Sequence, residues 1–164
     1  MKKRCYVILL AFIFFVLFNF LSQFRLVLIS GQSMEPTLHN NTTILLRKEN
    51  EIQREHIVSF TAPKSWSYLE DKSLIKRVIA VPNDKLKINS DFVYVNGKER
   101  VRIKGKLKIE QELDIILKED EYFVMGDNVG RSNDSLYEYS LGNSDYLVKR
   151  NLITYSTGDY PFEK

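Results

Sequence analysis

Two side chains in this sequence have the type and setting for covalent catalysis, Ser33 and Lys76. Ser33 stands in Ser30-Gly31-Gln32-Ser33-Met34-Glu35-Pro36-Thr37-Leu38. Gly31 gives the backbone freedom and Pro36 stops a regular strand ladder, so the segment reads as a turn that can present a hydroxyl to a cleft. A loop serine that is solvated or bonded to its own backbone fits the same residues. A nucleophilic serine needs a base. Lys76 lies in Ser73-Leu74-Ile75-Lys76-Arg77-Val78-Ile79-Ala80-Val81, the most apolar stretch outside the N-terminus. A desolvated lysine loses its proton more readily and can then accept one from serine. A lysine on the outward face of a strand fits the same pattern.

Other catalytic arrangements find little support. The two histidines, His39 and His56, have no obvious carboxylate to orient them. Ser73-x-x-Lys76 matches the S-x-x-K of penicillin-binding proteins and β-lactamases. It reads as strand rather than helix start, and the chain contains no Lys-Thr-Gly. Cys5 is the single cysteine, so no intramolecular disulfide forms and Cys and His alone cannot build a tetrahedral zinc site. A third stretch, Gly126-Asp127-Asn128-Val129-Gly130-Arg131-Ser132-Asn133-Asp134-Ser135, is rich in tight-turn residues. It is either an ordinary polar loop or a brace that fixes the lysine through Ser132, with Asp127 and Asp134 holding the loop.

The elements that must position these residues fall into two parts. Tyr6 to Phe24 is 19 residues without a charge. A helix of that length spans about 28 Å, close to a bilayer's hydrocarbon core. Lys2, Lys3 and Arg4 precede it, which places the N-terminus in the cytoplasm and the rest of the chain outside. A cleaved secretory signal shares the basic start. Here the only Ala of the segment is Ala11, deep in the run, and no small-residue pair follows until Ser30-Gly31. The expected organisation is a basic tip at 1–5, a transmembrane anchor at 6–24 and an extracytoplasmic domain at 25–164. Ser33 then lies within roughly 30 Å of the membrane surface, since an extended chain covers at most about 3.6 Å per residue.

The 164 residues carry 24 Lys+Arg and 21 Asp+Glu, and the basic surplus sits entirely in the tip. Residues 25–164 are balanced at 21 of each sign, which argues against a nucleic-acid partner. The body alternates short β-type runs with turn residues: 26–29, 43–47, 56–60, 74–81 and 122–125. Asn96-Gly97 between extended runs marks a two-residue hairpin. Residues 65–72 suit a short turn or helix. The expected fold is mostly β, an N-terminal transmembrane helix followed by an antiparallel domain of about ten strands.

Taken in order behind the apolar segment, these stretches resemble the type I signal peptidases, in their compact Gram-positive form. Gly31-Gln32-Ser33-Met34-Glu35-Pro36-Thr37 resembles the nucleophile box. Arg54-Glu55-His56-Ile57-Val58-Ser59-Phe60 loosely resembles the following strand box. Lys76-Arg77-Val78-Ile79-Ala80 with Pro82 resembles the lysine box, and Gly126-Asp127-Asn128 with Ser132, Asp134 and Ser135 the last box. The resemblance covers nearly the whole chain. It implies a Ser/Lys-dyad serine endopeptidase that removes signal peptides from exported preproteins after small-x-small sites.

By position Ser33 is then the nucleophile and Lys76 the general base, the Ser33 N–H contributes to an oxyanion hole, Ser132 orients the lysine, and Arg77 pairs with Asp127. Met34, Leu38, Leu74 and Ile75 become candidates for pockets that take small side chains at −1 and −3. No cofactor or metal is implied; the implied partners are preproteins and the lipid bilayer. Three departures stand out: Val129 and Leu136 occupy positions where the family usually has arginine or another polar residue, and Glu55-His56 replaces a common Gly-Asp. With Leu136 in place, Arg131 or Arg77 becomes the candidate partner of Asp134. These departures also fit a specialised paralogue. The alternative reading is a non-catalytic relative acting as an assembly or chaperone factor in pilus export. A self-cleaving regulator and a bare membrane-tethered module fit less well.

Overall fold

The computed structural model describes residues 2–66, 68–104 and 107–158. The side chains of Lys2, Lys3 and Arg4 and the last proline, Pro161, lie outside the described residues. A first helix, α1 (Lys2–Leu21), leads into β1 (Phe24–Leu28). Its apolar side chains from Tyr6 to Leu21 are exposed, and the Phe20 ring lies against Phe24 of β1 at 5.3 Å. Among the described residues no helix is long and apolar enough to cross a membrane.

The expected anchor ran to Phe24, but the helix stops at Leu21. Polar side chains close it: Asn19 Nδ2 donates to the Phe15 carbonyl at 2.8 Å and Ser22 Oγ to the Asn19 carbonyl at 2.7 Å. Phe24 then pairs with Arg47 as the first residue of a sheet.

Among the described residues the strand pairs of the body are all antiparallel and the strands number eleven, against an expected ten or so. One sheet has the order β1-β2-β11-β3-β4-β9-β10. Its further strands are β2 (Thr43–Arg47), β3 (Ile57–Thr61), β4 (Ser73–Ala80), β9 (Glu121–Met125), β10 (Val148–Lys149) and β11 (Ile153–Ser156). A second sheet of four, ordered β7-β6-β5-β8, comprises β5 (Lys85–Ile88), β6 (Phe92–Val95), β7 (Lys98–Arg102) and β8 (Leu113–Ile116). Asn96 and Gly97 join β6 to β7 at φ of 53° and 76°, the left-handed pair that such a hairpin turn requires. The described residues at 64–66 and 68–71 bend and turn without forming a helix, with Trp66 N–H on the Pro63 carbonyl and Leu69 N–H on the Trp66 carbonyl.

A short helix, α2 (Ser135–Ser140), begins where the polar loop read from the sequence ends. Six residues are too few to show a helical period. The cap is nonetheless present in the sequence: Asp134 accepts from the N–H groups of Leu136 and Tyr137. Leu136, one of the departures, is fully buried in the core between α2 and the four-stranded sheet. An apolar residue there adds buried area in place of a surface charge.

Three apolar clusters hold the body together. One packs Val58, Phe60, Trp66, Val78 and Val124, with Phe60 and Trp66 edge to face at 5.9 Å. One joins the two sheets through Leu86, Val93 and Phe123. The third, Ile29, Met34, Leu38, Ile44, Leu46 and Ile57, lies under the Ser33 turn.

Candidate active site

The Ser33 turn is pinned from below and from both sides. Met34 and Leu38 are 1% and 2% exposed in the third cluster. Leu38 N–H bonds the Met34 carbonyl at 2.8 Å and Glu35 N–H the Gln32 carbonyl at 3.2 Å, so the chain coils tightly through the turn. The Glu35–Pro36 bond is cis. Gly31, at φ of 98°, takes a backbone conformation that suits glycine, and its N–H is held by Asn40 Oδ1 at 2.8 Å.

Lys76 comes from β4, which is flanked by β3 and β9 inside the larger sheet; it pairs with Val58 and is 4% exposed. Its Nζ lies 3.0 Å from Ser33 Oγ and 3.0 Å from the Ile75 carbonyl oxygen. Residues 33 and 76, remote in sequence, are therefore in hydrogen-bond contact. Burial pulls the Lys76 ammonium below its ordinary value of 10.5, against the attraction of the Asp134 and Asp127 carboxylates. A lysine so placed is easier to deprotonate, and its neutral amine can accept the serine proton.

The Gly126–Ser135 loop closes over the turn. Asn128 N–H reaches the Ser33 carbonyl at 3.0 Å and Asn128 Nδ2 the Gln32 carbonyl at 3.0 Å. A Cβ on Gly126 would stand 2.4 Å from the Ser33 carbonyl oxygen and 2.3 Å from Ser132 Oγ. Gly126 and Asn128 belong to the last motif of the sequence, which by itself gives them no position. Their contacts depend on two segments almost a hundred residues apart, for which spacing gives no signal.

Arg77 and Asp127 pair as expected, in a two-pronged bridge: Nε to Oδ1 at 2.8 Å and Nη2 to Oδ2 at 2.7 Å. Arg77 Nη1 also donates to the Glu55 carbonyl at 2.9 Å, where Glu55 turns at φ of 71°. That left-handed turn is the position at which the family commonly has glycine.

Two expectations need correction. The resemblance implies a bond from Ser132 to the lysine ammonium. In the structure the two hydrogen bonds of Lys76 go to Ser33 and to its own strand, and Ser132 Oγ is buried without a hydrogen bond of good geometry. Ser132 lies beside Asp134; burial raises that carboxyl above its ordinary value, against the donors around it, Ser132 among them. Nor does an arginine complete Asp134. Arg131 is exposed, Arg77 is occupied by Asp127, and the buried Asp134 carboxyl instead accepts the backbone N–H of Gly126 at 2.9 Å and those of Leu136 and Tyr137 at 3.1 Å each. Backbone donors thus replace a cation that this loop does not supply.

Beside the dyad runs a cleft of about 420 Å³. Residues 25–30 of β1 and its exit form one wall and residues 73–76 of β4 the other, with Ser33, Met34 and Ser59 between. β1 and β4 are not paired, so the sheet curls to bring both to one opening. Of the four expected pocket residues, Met34, Leu74 and Ile75 line this cleft. Leu38 does not; its side chain is spent in the core that supports the turn.

Residues 2–154 match the family model described as signal peptidase, peptidase S26. The chain is 32% identical over 132 residues to signal peptidase I of Bacillus amyloliquefaciens, covering 71% of this chain and 66% of that one, just under two thirds of its length. It is 30% identical over 140 residues to signal peptidase I P of Bacillus subtilis subsp. natto, covering 76% and 73%. Signal peptidase IB of Staphylococcus aureus is 28% identical over 143 residues, covering 73% and 71%. A signal peptidase I crystal structure from Enterococcus faecalis V583 aligns with a TM-score of 0.45 at 23% identity, covering 63% of this chain and 94% of that one. With the family model spanning nearly all of its length and a relative at 30% identity matched over most of its own, this chain belongs to the signal peptidase family, peptidase S26.

Proposed function

We propose that this S26 peptidase is a membrane-anchored serine endopeptidase that removes N-terminal signal peptides from exported preproteins by a Ser33/Lys76 dyad. The observation that carries the reading is the 3.0 Å approach of Lys76 Nζ to Ser33 Oγ at the foot of an open cleft. Ser33 Oγ attacks the carbonyl carbon of the residue before the cut as its proton passes to the neutral Lys76 amine. The oxyanion that forms is met by the backbone N–H of Ser33. The Lys76 ammonium then returns the proton to the leaving amine, which departs as the mature protein's N-terminus. The remaining ester joins Ser33 to the signal peptide. Lys76, neutral again, takes a proton from water as it attacks that ester, and Ser33 is regenerated.

Substrate selection follows from the walls. Among the described residues no strand pairs with the outer edge of β1, so an extended peptide can align with it while its side chains enter between β1 and β4. Met34, Leu74 and Ile75 leave room for small residues at −1 and −3. The exposed apolar side chains of α1 continue into Leu26 and Leu28 on β1 and Leu45 on β2, all exposed. This surface supports placement of α1 in the bilayer, N-terminus cytoplasmic, with the cleft at the outer face where preproteins emerge.

The non-catalytic alternative is not favoured, because both dyad residues are present and adjacent and the relatives are named as signal peptidases. The test is incubation of the detergent-solubilised protein with a model preprotein carrying an Ala-x-Ala site. Release of the mature chain, with its mass placing the cut after the second Ala, is expected. Intact preprotein in the presence of folded protein would contradict the reading.

A further inference from the structure

Beyond the dyad, the β3–β4 wall of the cleft carries two hydroxyls. Ser59 on β3 is 6% exposed, and its Oγ lies 3.3 Å from Ser73 Oγ on β4. Both serines line the cleft that contains Ser33 and Lys76. In the β3–β4 register Ser59 faces Ile75 and Ser73 faces Thr61, so the serines are diagonal neighbours on the face that also carries Ile75. Two hydroxyls in contact share one proton: one donates, and the other's O–H is left for a further acceptor. Ser73 is exposed, so solvent water can fill that role while the cleft is open. A peptide seated in the cleft displaces it, and an aliphatic side chain then buries the remaining O–H unbonded. A serine or threonine side chain supplies the acceptor itself.

Geometry indicates which substrate residue meets the pair. An extended peptide turns alternate side chains to one wall, spaced about 6.7 Å apart. With the −1 carbonyl at Ser33, the next side chain facing that wall belongs to −3. Ser73 lies three residues before Lys76 along β4, about 10 Å from it and on the far side of Ile75. We propose that Ser59 and Ser73 form a hydroxyl-selective subsite, so that this enzyme prefers threonine or serine over valine at the third residue before the cut. The inference rests on the function proposed above.

Threonine and valine share a shape and differ in one hydroxyl, which makes their ratio the readout. Preproteins with Ala at −1 and Ala, Ser, Thr or Val at −3 are cleaved by the full chain in detergent, with Ser33→Ala as the blank. For the wild type, kcat/KM is expected to favour Thr over Val by about tenfold, the equivalent of one hydrogen bond. In the Ser59→Ala/Ser73→Ala variant the ratio is expected to fall to one or below. A wild-type ratio of one or less overturns the inference, whether or not the double variant folds. A tenfold ratio that persists in a folded double variant overturns its assignment to these serines. Cleavage of none of the four, the Ala substrate included, overturns the proposed function itself.

Discussion

The backbone N–H of Asn128 bonds the carbonyl oxygen of Ser33 at 3.0 Å. Through this contact a loop following β9 fixes the backbone of a turn following β1, and so sets where the Ser33 hydroxyl stands relative to Lys76.

Gly126 makes the contact possible, and its replacement tests it. In Gly126→Ala the new Cβ would stand 2.4 Å from the Ser33 carbonyl oxygen, a backbone atom that yields only if the turn moves. Cleavage of an Ala-x-Ala preprotein is expected to fall about 100-fold, since small displacements of a reacting group carry penalties of that order. The stability loss is expected to stay within about 1–3 kcal/mol, the range for overpacking. Parallel rate and thermal-unfolding measurements check both.

Asp134 is expected to act on stability. Its carboxyl caps α2 and also holds the Gly126 N–H at 2.9 Å. Asp134→Ala removes an N-cap and orphans a buried donor, together about 2–4 kcal/mol. Chemical denaturation of the two proteins side by side measures it, and a loss below 1 kcal/mol would contradict the assignment.

Arg77 should not tolerate its nominally conservative replacement. The two-pronged bridge to Asp127 and the bond to the Glu55 carbonyl need a guanidinium fork. An ammonium cannot reproduce that geometry in a buried site. Arg77→Lys is expected to cost about 2–3 kcal/mol and Arg77→Ala about 3–5 kcal/mol, because the latter leaves a carboxylate without its partner. Equilibrium unfolding ranks the two.

These contacts mark how far the sequence could be read. Lys76 stood out because a lysine inside a run of β-branched and aliphatic residues is either paired with an outward face or made to work. Ser33 stood out through Gly31 and Pro36. The hairpin at Asn96-Gly97 was legible because positive φ at two adjacent positions restricts the residue types. Leu38 was placed in a pocket because its type cannot tell a cleft from a core; only the cluster it joins with Ile44 and Leu46 decides. Ser132 was assigned to the lysine by resemblance, and the structure places it beside Asp134. The helix at 135–140 was missed because its cap, Asp134, also reads as a loop residue. The end of α1 was misplaced by three residues because Asn19 and Ser22 turn back on their own helix.

The protonation of Lys76 makes a prediction about stability with a definite sign. Its folded-state pKa is lowered by burial. Between that value and 10.5 the unfolded chain binds more protons than the folded one, so the Lys76 contribution to stability rises with pH across that window. Below that window the buried ammonium is a burden, and there Lys76→Met is expected to raise Tm by roughly 2–4 °C, about 1 kcal/mol. The difference between variant and wild type should shrink as pH rises toward 10. A difference that grows with pH would contradict the sign.

The central claim is that Lys76 takes the proton of Ser33. Its most direct test is the pH dependence of kcat/KM for one Ala-x-Ala preprotein between pH 6 and 10, with the wild type beside Ser33→Ala and Lys76→Arg, each shown to be folded. The wild-type rate is expected to rise with pH to a plateau with a midpoint below 10.5, as the buried amine becomes neutral. Both variants are expected to lose at least about 100-fold, because neither an absent hydroxyl nor a permanently charged guanidinium can begin the reaction. A flat wild-type profile, or cleavage retained by Lys76→Arg, would contradict the account.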